Sequence, residues 1–176
     1  MSTRISNKPA AKSIESVLSD TAFQQAVVLD SQFEILFDSI IKLVVKVCEV
    51  QTAVISFVED DRILYKSDEG YSNVLDTRKR DLFCGMVAAT NKCLEISDIS
   101  KDKLYQTHKL DLDGYKFKFF AGAPIKLPLG EVIGVLCVLD IQPRHLTEMQ
   151  RDVLLGLSDV LAKALVSKNF LGRAIN

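Results

Sequence analysis

The stretch FKFFAGAPIKLPLGEVIGVLCVLDI, Phe117–Ile141, decides the fold. It holds two apolar runs, Phe117 to Leu127 and Val132 to Ile141, parted by Pro128-Leu129-Gly130-Glu131, whose proline and glycine are strong turn signals. The pattern predicts an antiparallel hairpin in mid-sheet with both strands buried. Gly122 and Pro124 interrupt the first run and predict a bulge or a close backbone approach there.

Working outward, Pro143 precedes a long helical pattern in which Leu146, Met149, Val153, Leu154, Leu157, Val160, Leu161, Ala164 and Leu165 share one side. Thr147 with Gln150 three residues later opens it as a capping box. On the other side of the hairpin, Phe33, Phe37, Ile40, Ile41, Val44 and Cys48 form a stripe at steps of three and four, an amphipathic helix with Asp30 or Ser31 as cap. Thr52 to Val58 is a β-branched and aromatic run, turned by Glu59-Asp60-Asp61 into a returning strand over Arg62 to Ser67. Gly70 to Arg80 is polar without a period and reads as a loop crossing to another part of the sheet.

Phe83 to Thr90 reads as a short helix that Gly85 weakens, and Cys93 to Ile96 alternates like a strand. Asp98 to Tyr115 is rich in Asp and Lys with isolated leucines, and reads as a mobile lid outside the sheet. Near the start, Ile14, Val17, Leu18 and Ala22 recur at helical spacing after a polar leader. The expected fold class is α+β, a five- to six-stranded antiparallel sheet with N- and C-terminal helices on one face and a loop and short-helix lid on the other. Residues 1–12 are expected to be a disordered leader, 13–170 a single domain and 171–176 a tail.

The 176 residues suit one domain, and 48% hydrophobic with 26% charged residues is the profile of a globular chain. Lys plus Arg number 22 against 23 Asp plus Glu, so no basic excess exists to hold nucleic acid or an anionic membrane. The longest apolar run, Val132 to Leu139, is too short to cross a bilayer. No secretory signal follows MSTRISNKPAAK, so a cytoplasmic location is expected.

Cys48, Cys84, Cys93 and Cys137 form no Cys-x-x-Cys unit, and His108 and His145 have no metal-ligand spacing around them. Phosphate-binding, dinucleotide-binding and hydrolase-elbow motifs are absent, which removes the physical basis for those activities. Two readings of Cys84 and Cys93 stay open: buried small hydrophobes, or a redox-responsive pair brought together by the fold.

The run Phe119-Phe120-Ala121-Gly122-Ala123-Pro124, then Gly130, then Ile133 to Asp140, Pro143-Arg144 and Leu146-Thr147 closely resembles the C-terminal half of GAF domains, especially those beside bacterial histidine kinases and diguanylate cyclases. Leu36-Phe37-Asp38, Ile55 to Val58 and Phe83-Cys84 resemble the family's upstream segments in order, so the likeness spans Phe33 to Leu165. It implies a GAF-like, profilin-like sheet and a non-catalytic sensor domain in signal transduction, binding a small molecule between the sheet face and the segments after the short helix. The ligand-binding residues it implies are Phe57, Phe83, Cys84, Met86, Ile96, Asp98, His108, Tyr115 and Phe120, with Thr107 a further polar anchor. The alternative is that these aromatics fill a closed core.

The resemblance names no cofactor. Of the family's cyclic-nucleotide pattern only Asn91-Lys92 is met, and the setting for covalent bilin attachment is missing at Cys84 and Cys93. Cys84 and Cys93 also resemble a pair in free methionine-R-sulfoxide reductase, a GAF-fold enzyme, but residues 94–136 lack its third, nucleophilic cysteine. The partners implied are a small-molecule ligand, a second copy paired through the terminal helices and a signalling protein; a ligand-free dimerisation or adaptor module is the remaining alternative.

Overall fold

The computed structural model describes residues 31–59, 62–68, 76–78, 82–106, 110–112 and 115–174. In chain order these form α1 (Ser31–Cys48), β1 (Thr52–Glu59), β2 (Arg62–Asp68), β3 (Asp76–Arg78), α2 (Leu82–Thr90), β4 (Leu94–Ile96), β5 (Leu110–Leu112), β6 (Tyr115–Phe117), β7 (Phe119–Lys126), β8 (Val132–Asp140) and α3 (Glu148–Ala174). The expected leader, the N-terminal helix and the Asp30 cap lie outside the described residues. So do Thr107 and His108. α3 runs to Ala174, into the stretch read as tail.

Six strands make one antiparallel sheet in the order β3-β2-β1-β8-β7-β4, and β5 with β6 makes a separate two-stranded one. β7 and β8 lie side by side as the hairpin reading requires, with Phe120 opposite Leu139 and Ala123 opposite Leu136. The turn between them closes by Leu127 N–H donating to Glu131 O at 2.8 Å and Gly130 N–H to Leu127 O at 2.8 Å. Gly130 sits there at φ 96°, a conformation that favours glycine. The disruption in β7 falls at Ile125/Lys126, where the register with β8 shifts. At Gly122 the near neighbours are side chains rather than backbone: an added Cβ would lie 2.9 Å from the Phe120 ring and 3.1 Å from the Val135 side chain.

Pro124 stands just beyond the part of β7 that β4 covers, Phe120 to Gly122, so its missing N–H breaks no bond to β4. Its carbonyl accepts from the buried Ser158 hydroxyl of α3 at 3.1 Å.

Two corrections concern stretches read as loop. Asp76–Arg78 is the edge strand β3, paired with β2 from Arg62 opposite Arg78 to Leu64 opposite Asp76. Within the expected lid, Leu110–Leu112 pairs with Tyr115–Phe117. Both strands are three residues long, too short to print an alternation, and pairing at an edge needs only backbone groups.

Alternation along the strands sorts side chains into two cores. Phe119, Ala121, Ala123 and Ile125 of β7, with Ala53, Ile55 and Phe57 of β1, face α1 and α3 and meet Phe37, Ile41, Leu154, Leu161 and Leu165. Phe120 of β7, Val135, Cys137 and Leu139 of β8, and Val54 of β1 face the other way, beneath α2. The helices therefore take one face and α2 roofs the other.

Gln150 ties the two long helices together. Gln150 N–H donates to Thr147 Oγ1 at 3.2 Å and Thr147 N–H to Gln150 Oε1 at 3.0 Å, the reciprocal box read from the sequence. Gln150 Nε2 also donates to Val47 O at 3.1 Å, taking up a carbonyl in the last turn of α1. There α1 ends through Glu49 at φ 55°, with Val50 N–H reaching back to Val45 O at 3.3 Å.

Candidate functional site

The face beneath α2 gathers most of the described candidate residues. Phe83 and Cys84 enter from the first turn of α2, Ile96 from β4 and Phe120 from β7, all buried; Met86 is half-buried. The Phe83 ring lies 5.2 Å from that of Phe120 and meets Tyr105 edge-on at 5.5 Å. Tyr115, half exposed, has its ring 6.4 Å from that of Phe117 and tilted to it.

Phe57 does not join them. It lies in the core facing α1, with its ring 5.9 Å from Phe37, because the two-residue period of β1 gives residues 53, 55 and 57 one face and residue 54 the other.

Residues 97–106 are built as two aspartate-anchored turns. Asp98 Oδ1 accepts from Ser100 N–H at 3.1 Å and Ser100 Oγ–H at 2.5 Å, and Lys101 stands 3.4 Å from Oδ2. The Ser100 hydroxyl, aided by Lys101, holds the Asp98 carboxyl below the usual carboxylate range. Asp102 Oδ1 accepts from Leu104 N–H at 2.9 Å and Tyr105 N–H at 3.3 Å, which sets Tyr105 against Phe83. Ile99 N–H donates to Lys118 O at 2.7 Å and so fixes the segment beside the β7 end of the sheet.

The sulfur facing Cys84 belongs to Cys137, 3.8 Å away across the interface of α2 and β8. Cys93 is half-buried; burial pushes its thiol up, against the pull of the Arg151 charge, while Glu95 adds to the rise. Cys48, the last residue of α1, lies against the start of α3, and burial pushes its thiol up to about 11.

The sequence reading gave no joining role to the polar groups that link this face to α3. Glu95 of β4 accepts from Arg151 Nη2 at 2.6 Å and from Leu146 N–H at 3.3 Å. Arg144 N–H donates to Ser97 O at 3.0 Å, and the Ser97 hydroxyl bonds His145 Nδ1 at 2.9 Å. Buried Asp140 accepts from Arg144 Nε, Gln142 N–H at 2.8 Å and Gln51 N–H at 3.2 Å, tying the end of β8 to the entry of β1. A charged residue at the end of an apolar strand was the available signal for Asp140.

A groove of about 410 Å³ lies elsewhere, between the β7 end and α3, floored by Leu127, Ala162 and Val166 and rimmed by Lys126 and Lys163. Asp159 holds Lys163 at 2.5 Å on that rim.

An antiparallel sheet with two long helices on one face and a short helix with anchored turns on the other is the architecture of a sensor-type α+β domain of signalling proteins. The chain belongs to the GAF domain family, whose profile matches residues 32–165; such domains are generally regulatory. It is 26% identical over 108 residues to a cyclic di-GMP phosphodiesterase of Pseudomonas aeruginosa, a match covering 61% of this chain and 18% of that protein. The GAF domain of a phosphoenolpyruvate-protein phosphotransferase from Coxiella burnetii superposes with TM-score 0.67 and 17% identity, covering 92% of this chain and 96% of that one. A type II free methionine-R-sulfoxide reductase from Thermoplasma acidophilum gives 0.61 and 14%, covering 86% and 96%. At these identities the two structures share the fold with this chain. Among the described residues, no helix is long and apolar enough to cross a membrane.

Proposed function

We propose that this chain is a non-catalytic, cytoplasmic sensor domain that binds a small, mainly apolar molecule between the sheet and α2. The observation that supports this reading is the contrast between the two faces. One is covered by helices of 18 and 27 residues, the other by a nine-residue helix and two turns that bring Phe83, Tyr105 and Phe120 together. In this proposal Phe83, Met86, Ile96 and Phe120 form the wall, with Cys84 beside them, Tyr115 at the edge, and Asp98 and His108 as polar anchors.

Because the rings already touch, a ligand enters only if Phe83 and Tyr105 part, which makes binding select a displaced arrangement of α2 and residues 97–106. The bonds from Glu95 and Ser97 to Leu146, Arg144 and Arg151 give that displacement a route to the start of α3. The output is a signalling protein reached through the terminal helices. A second copy pairs along their exposed apolar positions, Ile35 and Leu43 on α1 with Leu155 and Val160 on α3. The phosphodiesterase relative suggests cyclic-dinucleotide signalling as a setting, and its catalytic activity is not carried over.

The test is a thermal-shift screen of metabolites on the intact chain, repeated with Phe83→Leu after circular dichroism has shown it folded. The expected result is a compound that raises the melting temperature by several degrees for the parent and not for the variant. A screen without such a compound, or a shift that the variant keeps, overturns the proposed site; the former, with a dimer by light scattering, favours the ligand-free adaptor. The cysteine-based alternative names Cys84 with Cys93; the sulfur facing Cys84 is that of Cys137.

A further inference from the structure

We infer that Cys84 and Cys137 are a built oxidation site, a thiol pair that a peroxide converts to an intramolecular disulfide fastening α2 to β8. The pairing was not legible in the spacing of the cysteines, since 53 positions separate the two and Cys93 is the nearer neighbour of Cys84 in sequence. It follows from the fold: β8 is central, its residue 137 faces the second core, and α2 lies over that position.

Three features carry the inference. The sulfurs stand 3.8 Å apart in the reduced protein, so a bond requires them to close by about 1.8 Å, a movement that small shifts of a nine-residue helix can supply. Both side chains are buried, at 0% and 1% exposure, so an oxidised Cys84 meets Cys137 before any outside thiol. Cys84 also lies on the covering helix, in the first turn of α2, and Cys137 in the central strand beneath it with its Sγ donating to Val54 O at 3.4 Å, so peroxide that arrives as α2 lifts meets Cys84 first. Cys84 is therefore the attacking sulfur and Cys137 the resolving one.

The step balances with hydrogen peroxide as oxidant. The Cys84 thiolate attacks one peroxide oxygen, the O–O bond breaks, and hydroxide leaves, taking up a proton to become water; Cys84 is now a sulfenic acid. The Cys137 sulfur displaces the hydroxyl from Cys84, the S–S bond forms, and the thiol proton leaves with the hydroxyl as a second water. Two thiols lose two electrons and two protons, and one peroxide becomes two waters. Burial makes the reaction slower than oxidation of an exposed thiol, because peroxide enters only when α2 lifts. The product converts a roof held by packing into one tied covalently to the sheet. This inference does not rest on the proposed ligand.

The experiment treats the intact, folded chain with excess hydrogen peroxide, blocks remaining thiols with N-ethylmaleimide and maps the peptides by mass spectrometry without reduction. The expected result is one intramolecular cross-link joining the Cys84 and Cys137 peptides, absent after dithiothreitol, with Cys48 still alkylatable after unfolding. The oxidised chain should melt about 5 °C or more above the reduced one. Cys93→Ser should leave the cross-link in place, and Cys137→Ala should leave a Cys84 sulfenic acid that dimedone traps. A Cys84–Cys93 bridge, alkylation of both Cys84 and Cys137 after oxidation, or a cross-link formed only after denaturation overturns the inference. The peptide map on the parent chain decides it even if a variant fails to fold.

Discussion

Replacing Gly134 with alanine tests the central pairing of the sheet directly. Gly134 lies opposite Phe57 of β1 on one side and Ile125 of β7 on the other. A Cβ added there would stand 2.3 Å from the Ser56 carbonyl oxygen and 3.4 Å from both the Ile125 and Phe57 side chains. The close atom belongs to the backbone, so no rotamer change relieves it. To restore a contact of 3.0 Å, β1 must draw away from β8 by about 0.7 Å in the middle of their ladder. That stretches hydrogen bonds on either side and disturbs the packing of Phe57 on Phe37. Overpacking and weakened ladder bonds together should cost about 3 kcal/mol, which for a domain of this size lowers the melting temperature by about 6–12 °C. Thermal unfolding followed by circular dichroism, with Gly156→Ala as the matched control, measures it. Gly156 is exposed within α3 and an added Cβ meets nothing within 4 Å, so that variant should gain about 1 kcal/mol from helix propensity. If Gly134→Ala melts within about 2 °C of the parent, the register of β1 against β8 is wrong.

The remaining expectations concern the polar groups and thiols. Asp98 should titrate below the ordinary carboxylate range in an NMR pH series; its contribution to stability is then present above about pH 4 and lost as the pH falls through its lowered midpoint, and Ser100→Ala should return it toward the ordinary range. Glu95→Gln should weaken the bonds to Arg151 and Leu146 N–H, costing about 1 kcal/mol and raising hydrogen exchange over residues 146–151, whereas unchanged exchange would show that Glu95 does not hold that helix start. With a thiol pushed up to about 11, Cys48 should hold only about one thiolate in a thousand at pH 8, so iodoacetamide should label half-buried Cys93 well before Cys48 in the native chain.

Where apolar side chains repeat against a large buried surface, the sequence was legible. The stripe from Phe33 to Cys48, the two runs around Pro128 and Gly130, and the Thr147–Gln150 box all mark positions where burial or a cap demands particular residues. The strands at Asp76–Arg78 and Leu110–Leu112 escaped because their pairing asks nothing of the side chains that a pattern would reveal. Phe57 faces α1 rather than the site, and a similar limit applies: an aromatic in a strand announces burial, and only the parity of the whole strand says on which side. Tyr105 falls in a polar segment with no apolar period to flag it, yet Asp102 anchors the turn that aims it at Phe83. The pairing of Cys84 with Cys137 depends on contact between two distant elements, which no local period encodes.

The candidate site and the long helices lie on opposite faces of a sheet whose central strands are sealed by side chains on both sides, so a signal through the middle would have to move packed core residues. The edge offers an easier path. β4 pairs with β7 over only three residues, and Glu95 in the middle of β4 holds Arg151 and Leu146 on the far side. Ser97, one residue beyond the strand, accepts from Arg144, whose guanidinium is committed to buried Asp140. A displacement of residues 97–106 therefore pulls on a short, weakly anchored strand and on the first turn of α3 together. It does not need to disturb the β1–β8–β7 ladder. Under the proposed function, this division between a rigid centre and a lightly held edge would let the irregular roof respond to a change in occupancy without unfolding the rest.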